Sequence, residues 1–87
     1  MEIFFSERFK KDYKLFSGDI KKTIIAKLKL LSENPYHPSL RTKKIKGKED
    51  IFEASITMDI RMTWQYIKKD VILLRKISRH DKTLKNP

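Results

Sequence analysis

Ile51-Phe52-Glu53-Ala54-Ser55-Ile56-Thr57-Met58-Asp59-Ile60-Arg61-Met62-Thr63-Trp64-Gln65-Tyr66 decides the fold of this chain. Phe52, Ala54 and Ile56 alternate with Glu53, Ser55 and Thr57, and then Met62, Trp64 and Tyr66 alternate with Arg61, Thr63 and Gln65. Successive side chains leave a strand on opposite sides, so each half reads as a half-buried strand. Joining them through Met58-Asp59-Ile60 as a three-residue loop pairs Thr57 with Arg61, Ser55 with Thr63 and Glu53 with Gln65. The same register sets Ile56 opposite Met62, Ala54 opposite Trp64 and Phe52 opposite Tyr66. One face is then wholly apolar and the other wholly polar, whereas a one-residue slip would mix them. The expectation is a hairpin.

Toward the C-terminus, Val71-Ile72-Leu73-Leu74 opens a strand running to Ser78, and its unbroken apolar start fits a strand covered on both faces or central in the sheet. A two-residue turn at Lys69-Asp70 sets Arg61 opposite Ser78, with Lys76 and His80 on the same polar face. A three-residue turn at Lys68-Lys69-Asp70 puts Ile77 and Arg79 there instead. The first is preferred, although neither of its residues is the glycine or asparagine such turns favour.

Toward the N-terminus the period changes. Ile3-Phe4-Phe5 is a short apolar run ended by Ser6, a good helix N-cap. Phe9, Tyr13 and Phe16 then recur at helical spacing, and Ser17-Gly18-Asp19 interrupts them. Ile20, Ile24, Leu28 and Leu31 form the face of a second helix, widened by Ile25, and Asn34-Pro35 stops it. Residues 36–50 show no hydrophobic period and read as a long loop, with Arg41, Lys43, Lys44, Lys46 and Lys48 crowded into it. A loop of that length in so small a chain is usually functional. Two amphipathic helices need an apolar sheet face to cover, which leaves the opposite, polar face open for a ligand.

The 87 residues suffice for one domain, residues 1–87, and 39% hydrophobic content suffices for one core. No apolar run is long enough for a spanning helix. There is no cysteine, which excludes disulfides and thiolate metal sites and is compatible with a reducing cytoplasm. The net charge of +10 is uneven: eight Lys/Arg face five acids over 1–38, and thirteen face six over 39–87. That surplus favours a polyanionic partner.

Two histidines, no cysteine and two glycines offer no metal pair at ligand spacing and no phosphate cradle. No serine sits on a Gly-x-Ser-x-Gly elbow. Metal-free cleavage of RNA demands less. The 2′-hydroxyl must attack the adjacent phosphorus, the developing charge must be neutralised, and the leaving 5′-oxygen must be protonated. Histidine suits the proton transfers and arginine the charge. His80 and Arg61 beside the basic loop meet those needs. The ordinary alternatives are a solvated strand-end histidine, and a cross-strand pair of Arg61 with Glu53 or Asp59.

The order strand–helix–helix–three strands resembles the RelE/ParE toxin superfamily of bacterial toxin–antitoxin systems. So do His37-Pro38-Ser39-Leu40, Asp59-Ile60-Arg61-Met62-Thr63-Trp64 and Ile77-Ser78-Arg79-His80-Asp81, in that order. The likeness covers essentially the whole chain. It implies an α+β fold, β-α-α-β-β-β, with an antiparallel sheet and two N-terminal helices packed on one face. In the RelE/YafQ-like branch it implies a cytoplasmic toxin that cleaves mRNA on the ribosome as an endoribonuclease (mRNA interferase), without metal or other cofactor, and so inhibits translation. It also implies a small antitoxin partner whose tail wraps the toxin, and no role for a membrane.

Carried over by position, Arg61 matches an arginine that contacts the scissile phosphate, and His80 a general acid. Asp59 resembles an aspartate of a histidine-rich subgroup. Lys43, Lys44, Lys46 and Lys48 match a basic RNA-binding loop in character, with Arg79 beside them. Asp81 either orients His80 or only moderates the local charge, and His37 is either a second acid–base group or a structural loop histidine before proline. Two features depart from the pattern: Glu53 and Ser55 stand where RelE has lysines, and residues 82–87 contain no aromatic to stack on a base. These departures favour a rival reading, a ParE-like toxin that inhibits DNA gyrase without RNA chemistry. A degenerate RNA-binding module is the third.

Overall fold

Ser6 and Ser17 start the two helices. The Ser6 side chain accepts the Phe9 N–H at the head of α1 (Glu7–Lys14), and Ser17 accepts the Ile20 N–H at the head of α2 (Gly18–Glu33). Each satisfies one of the N–H groups that a first helical turn leaves unpaired. The computed structural model describes residues 1–48 and 50–79. Its strands are β1 (Glu2–Phe5), β2 (Lys43–Lys44), β3 (Ile51–Ser55), β4 (Ile60–Lys68) and β5 (Val71–Arg79), with a 3-10 turn at Pro38–Leu40 after α2. They form one sheet in the order β1-β5-β4-β3-β2.

The class is α+β as expected, with two corrections to the strands. The stretch 36–50 is not one long loop: the 3-10 turn and β2 lie in it, so four strands follow the helices. Its apolar residues are spaced too widely to show a period, yet Leu40 and Ile45 are buried and tie it to the body. Secondly, β1 runs parallel to β5, with Ile3 beside Ile72 and Phe5 beside Leu74, while the other pairs are antiparallel. As anticipated from its apolar start, β5 is an interior strand.

The hairpin exists, but its register differs from the expected one. Ala54 lies opposite Met62, Phe52 opposite Trp64 and Ser55 opposite Arg61. The offset is two residues, which keeps every side chain on its expected face because the period of a strand is two. The loop is longer than supposed, spanning 56–59, and Thr57 Oγ1 accepts the N–H groups of Asp59 and Ile60 at 3.2 and 3.1 Å. The observed offset also stacks Phe52 on Trp64 with ring centroids 4.5 Å apart. Such an aromatic pair adds about 0.5–1.5 kcal/mol beyond its buried area. The next turn is the preferred two-residue one: Lys68 faces Val71, Arg61 faces Ser78, and Asp70 takes φ 61°, which aspartate tolerates. Two register shifts within the β4–β5 ladder cancel, so the pairing at Arg61 is unaffected.

Phe9, Ile24, Leu28 and Leu31 from the helices pack with Met62, Trp64, Ile72, Leu74 and Ile77 from the sheet in one core. Ile25, expected to widen the buried face of α2, is instead 55% exposed. Beyond the end of β1, α1 serves β5: Ser6 Oγ donates to the Arg75 carbonyl at 2.9 Å, and Asp12 Oδ2 accepts the Ile77 N–H at 3.1 Å. The helices thus occupy one side of the sheet and lock its interior strand β5. Among the described residues no helix is long and apolar enough to cross a membrane.

Candidate nucleic-acid interface

Glu53 is the unexpected centre of the face turned away from the helices. The alternation places it on the polar side, yet it is only 2% exposed. Its Oε1 lies 3.6 Å from Arg61 Nε and 3.9 Å from Lys43 Nζ, while Oε2 has no hydrogen-bond partner among the described residues. Ser55 and Thr63 beside it are also buried. The polar face is therefore not bare: long cationic side chains fold over its floor.

Arg61 projects from this face, since its neighbours Ile60 and Met62 point into the core. Its side chain is 14% exposed. Besides the pair with Glu53, Nη1 donates to the carbonyls of Thr57 and Ile60. Of its two candidate acidic partners, Arg61 takes Glu53. Asp59 instead pairs with Arg79 across the end of the sheet, in an exposed contact. Exposed pairs of this kind contribute little and exchange readily for another anion. His80 and Asp81 lie outside the described residues.

The lysines divide. Lys43 stands opposite Glu53 and shares its face, whereas Lys44 stands opposite Phe52 and so points to the other side. Lys46 and Lys48 are exposed around Gly47, whose φ of 79° closes the turn between β2 and β3. His37 has a local structural role: its Nδ1 accepts the Ser39 N–H at 3.1 Å and starts the 3-10 turn. Thus the structure brings Arg61 and Lys43 together around Glu53 and sets the Asp59–Arg79 pair at the loop. It gives His37 a capping task and places Lys44 on the far side.

Sequence reading missed the burial of Glu53. The signal was present in its paired cations, but the alternation alone marks position 53 as solvent-facing. It also gave no role to Tyr36, which is exposed and packs edge-on against Phe52 with centroids 6.5 Å apart. Burial, and then a hydrogen bond to Tyr36, push the Tyr66 phenol up to about 12.

The chain matches no family model and no curated protein. Solved structures do match over nearly its whole length. A YoeB/ParE toxin from Agrobacterium tumefaciens superposes with TM-score 0.79 at 13% identity, covering 92% of this chain and 99% of that one. The YoeB dimer from Staphylococcus aureus gives 0.77 at 21%, covering 92% and 97%. The RelB-RelE antitoxin-toxin complex from Methanococcus jannaschii gives 0.69 at 23%, covering 91% and 92%. The chain has the fold shared by RelE, YoeB and ParE toxins.

Proposed function

We propose that this chain, built on the RelE/YoeB/ParE fold, is the toxin of a type II toxin–antitoxin system and cleaves mRNA without a metal. The observation that carries this reading is the cationic cluster of Arg61 and Lys43 on the helix-free face, beside the end of β5. Arg61 spends Nη1 on two carbonyls and Nε on Glu53, which leaves its Nη2 protons for phosphate oxygens. In the reaction, the RNA 2′-hydroxyl gives its proton to solvent water as its oxygen attacks phosphorus. The bond to the 5′-oxygen breaks, leaving a 2′,3′-cyclic phosphate and a protonated 5′-hydroxyl. Arg61 stabilises charge on the non-bridging oxygens, and His80, which follows Arg79 in sequence, supplies the proton to the leaving oxygen. Lys43, Lys46 and Lys48 hold the backbone, with Arg79 joining them once released from Asp59. Lys44 serves RNA only where the strand rounds the sheet edge. Asp81 orients His80.

The partner expected under this reading is an acidic antitoxin. A cleft of about 410 Å³ between α1 and α2, lined by Phe5, Phe9, Tyr13 and Leu28 and edged by Lys10, Lys11 and Lys14, leaves apolar surface that such a partner covers. Structural neighbours have been solved with antitoxins, including the intact E. coli RelBE toxin-antitoxin complex.

One observation favours the gyrase-inhibiting alternative: a buried carboxylate already pairs with the guanidinium that the nuclease needs. Translation in vitro with the mRNA mapped for breaks, run beside a gyrase supercoiling assay, separates the two. The nuclease reading expects breaks that His80→Ala abolishes while the fold persists. Intact mRNA with blocked supercoiling would overturn it.

A further inference from the structure

A cavity of about 170 Å³ opens where the end of β3 meets α2 and the 3-10 turn. Lys27, Ser39, Arg41, Ser55 and Thr57 provide its polar lining, and no carboxylate does. Its donors are unspent. Lys27 Nζ gives one N–H to the Ser39 carbonyl at 3.3 Å and keeps the rest of its ammonium protons. The Arg41 guanidinium and the Ser55 hydroxyl have no partner among the described residues. Thr57 Oγ1 already accepts two backbone N–H groups, at 3.2 and 3.1 Å, so both its lone pairs are used and its own proton is left to donate. Two cations and the hydroxyls of Ser55 and Thr57 line the cavity with no carboxylate among them. β3 carries no lysine or arginine of its own, so α2 and the turn bring the positive charge to its end.

We propose that this cavity is a phosphate-binding subsite, and that in the RNA complex it holds a backbone phosphate next to the one gripped by Arg61. Only the second half rests on the proposed function. The adjacency follows from shared walls: Ser55 is the strand partner of Arg61, and Arg61 donates to the carbonyl of Thr57. Phosphate oxygens are strong acceptors that take charge-assisted bonds from such donors, and a site without carboxylates does not repel them.

Two titrations test this on the full chain, with the amide spectrum of each variant confirming the fold. Inorganic phosphate should shift the backbone amides of Ser55 and Thr57 in the wild type. Arg41→Gln combined with Lys27→Gln should abolish the shifts, and Arg41→Lys with Lys27 intact should retain them in part. A single-stranded oligoribonucleotide titrated at several salt concentrations should show the double variant losing about 0.7 from the slope of log affinity against log salt, the value of one neutralised phosphate. Shifts with an unchanged RNA slope would locate free phosphate there and overturn the RNA half. Shifts in a wild type that binds no RNA would sink the proposed function and leave the subsite standing. Absent shifts, or shifts that persist in the double variant, would overturn the subsite, whatever the RNA does.

Discussion

Glu53 and Arg61 govern each other, and their substitutions are expected to behave unequally. Glu53→Gln removes a negative charge from the phosphate-binding face and frees the guanidinium. RNA affinity should rise by about 1 kcal/mol, roughly fivefold, while stability falls by about 1–3 kcal/mol. Filter binding and urea unfolding measure the two, and unchanged affinity would place Arg61 outside the RNA contact. Arg61→Ala strands the buried carboxylate and should cost about 3–5 kcal/mol, so lost activity in that variant cannot be assigned to chemistry alone. Arg61→Lys keeps the charge without the fork and is the better probe. Tyr66 provides a pH readout. Its folded pKa lies above the unfolded value near 10, so the native state keeps a proton that the unfolded state loses. The stabilisation is whole below pH 10 and should disappear as pH rises from about 10 to 12. In a phenolate absorbance titration Tyr66 should ionise near pH 12. Tyr36→Phe should lower it only in part, because burial is the larger cause. A value unmoved from 12 would deny the hydrogen bond a share.

At the scale of elements, the β3–β4 loop and the α1–β5 lock carry the site. Thr57→Val removes the acceptor for two loop N–H groups and should cost about 1–3 kcal/mol, loosening the carbonyl that holds Arg61. Thr57→Ser should recover most of it in the same unfolding assay. Asp12→Ala uncovers the Ile77 N–H beyond the end of β1, and hydrogen exchange at that amide should accelerate ahead of its neighbours in β4. The helices and the hairpin were legible because caps and alternation are written within a few consecutive residues. The strand β2 was not: two residues, Lys43 and Lys44, are too few to show a period, and only the neighbouring β3 makes them a strand. Ile25 misled because its helical position adjoins the apolar stripe, yet it lines the open cleft beside α1 and stays exposed.

For the whole molecule, the +10 charge predicts nucleic-acid binding that weakens steeply with salt. Replacing Lys46 and Lys48 together by glutamine should flatten the slope of log affinity against log salt by about 0.7 for each phosphate that is no longer neutralised. Equal slopes for wild type and variant would remove that turn from the interface. The division of labour across the sheet explains why such changes should leave folding intact. Helices and core fill one side, and the two lysines replaced here are exposed in the turn after β2, outside that core.

What the sequence determined by itself is which residues share a side, where the helices begin, and that Arg61 faces away from the core. These follow from local geometry: a strand repeats every two residues, a helix every 3.6, and a serine caps the turn beside it. Only the tertiary structure decided the hairpin offset, the parallel seat of β1 against β5, and the burial of Glu53 between Arg61 and Lys43. An offset of two leaves the pattern of sides unchanged, so alternation could not distinguish Ala54 facing Trp64 from Ala54 facing Met62. The stacking of Phe52 on Trp64 accompanies that choice, and it joins residues that the linear order keeps apart.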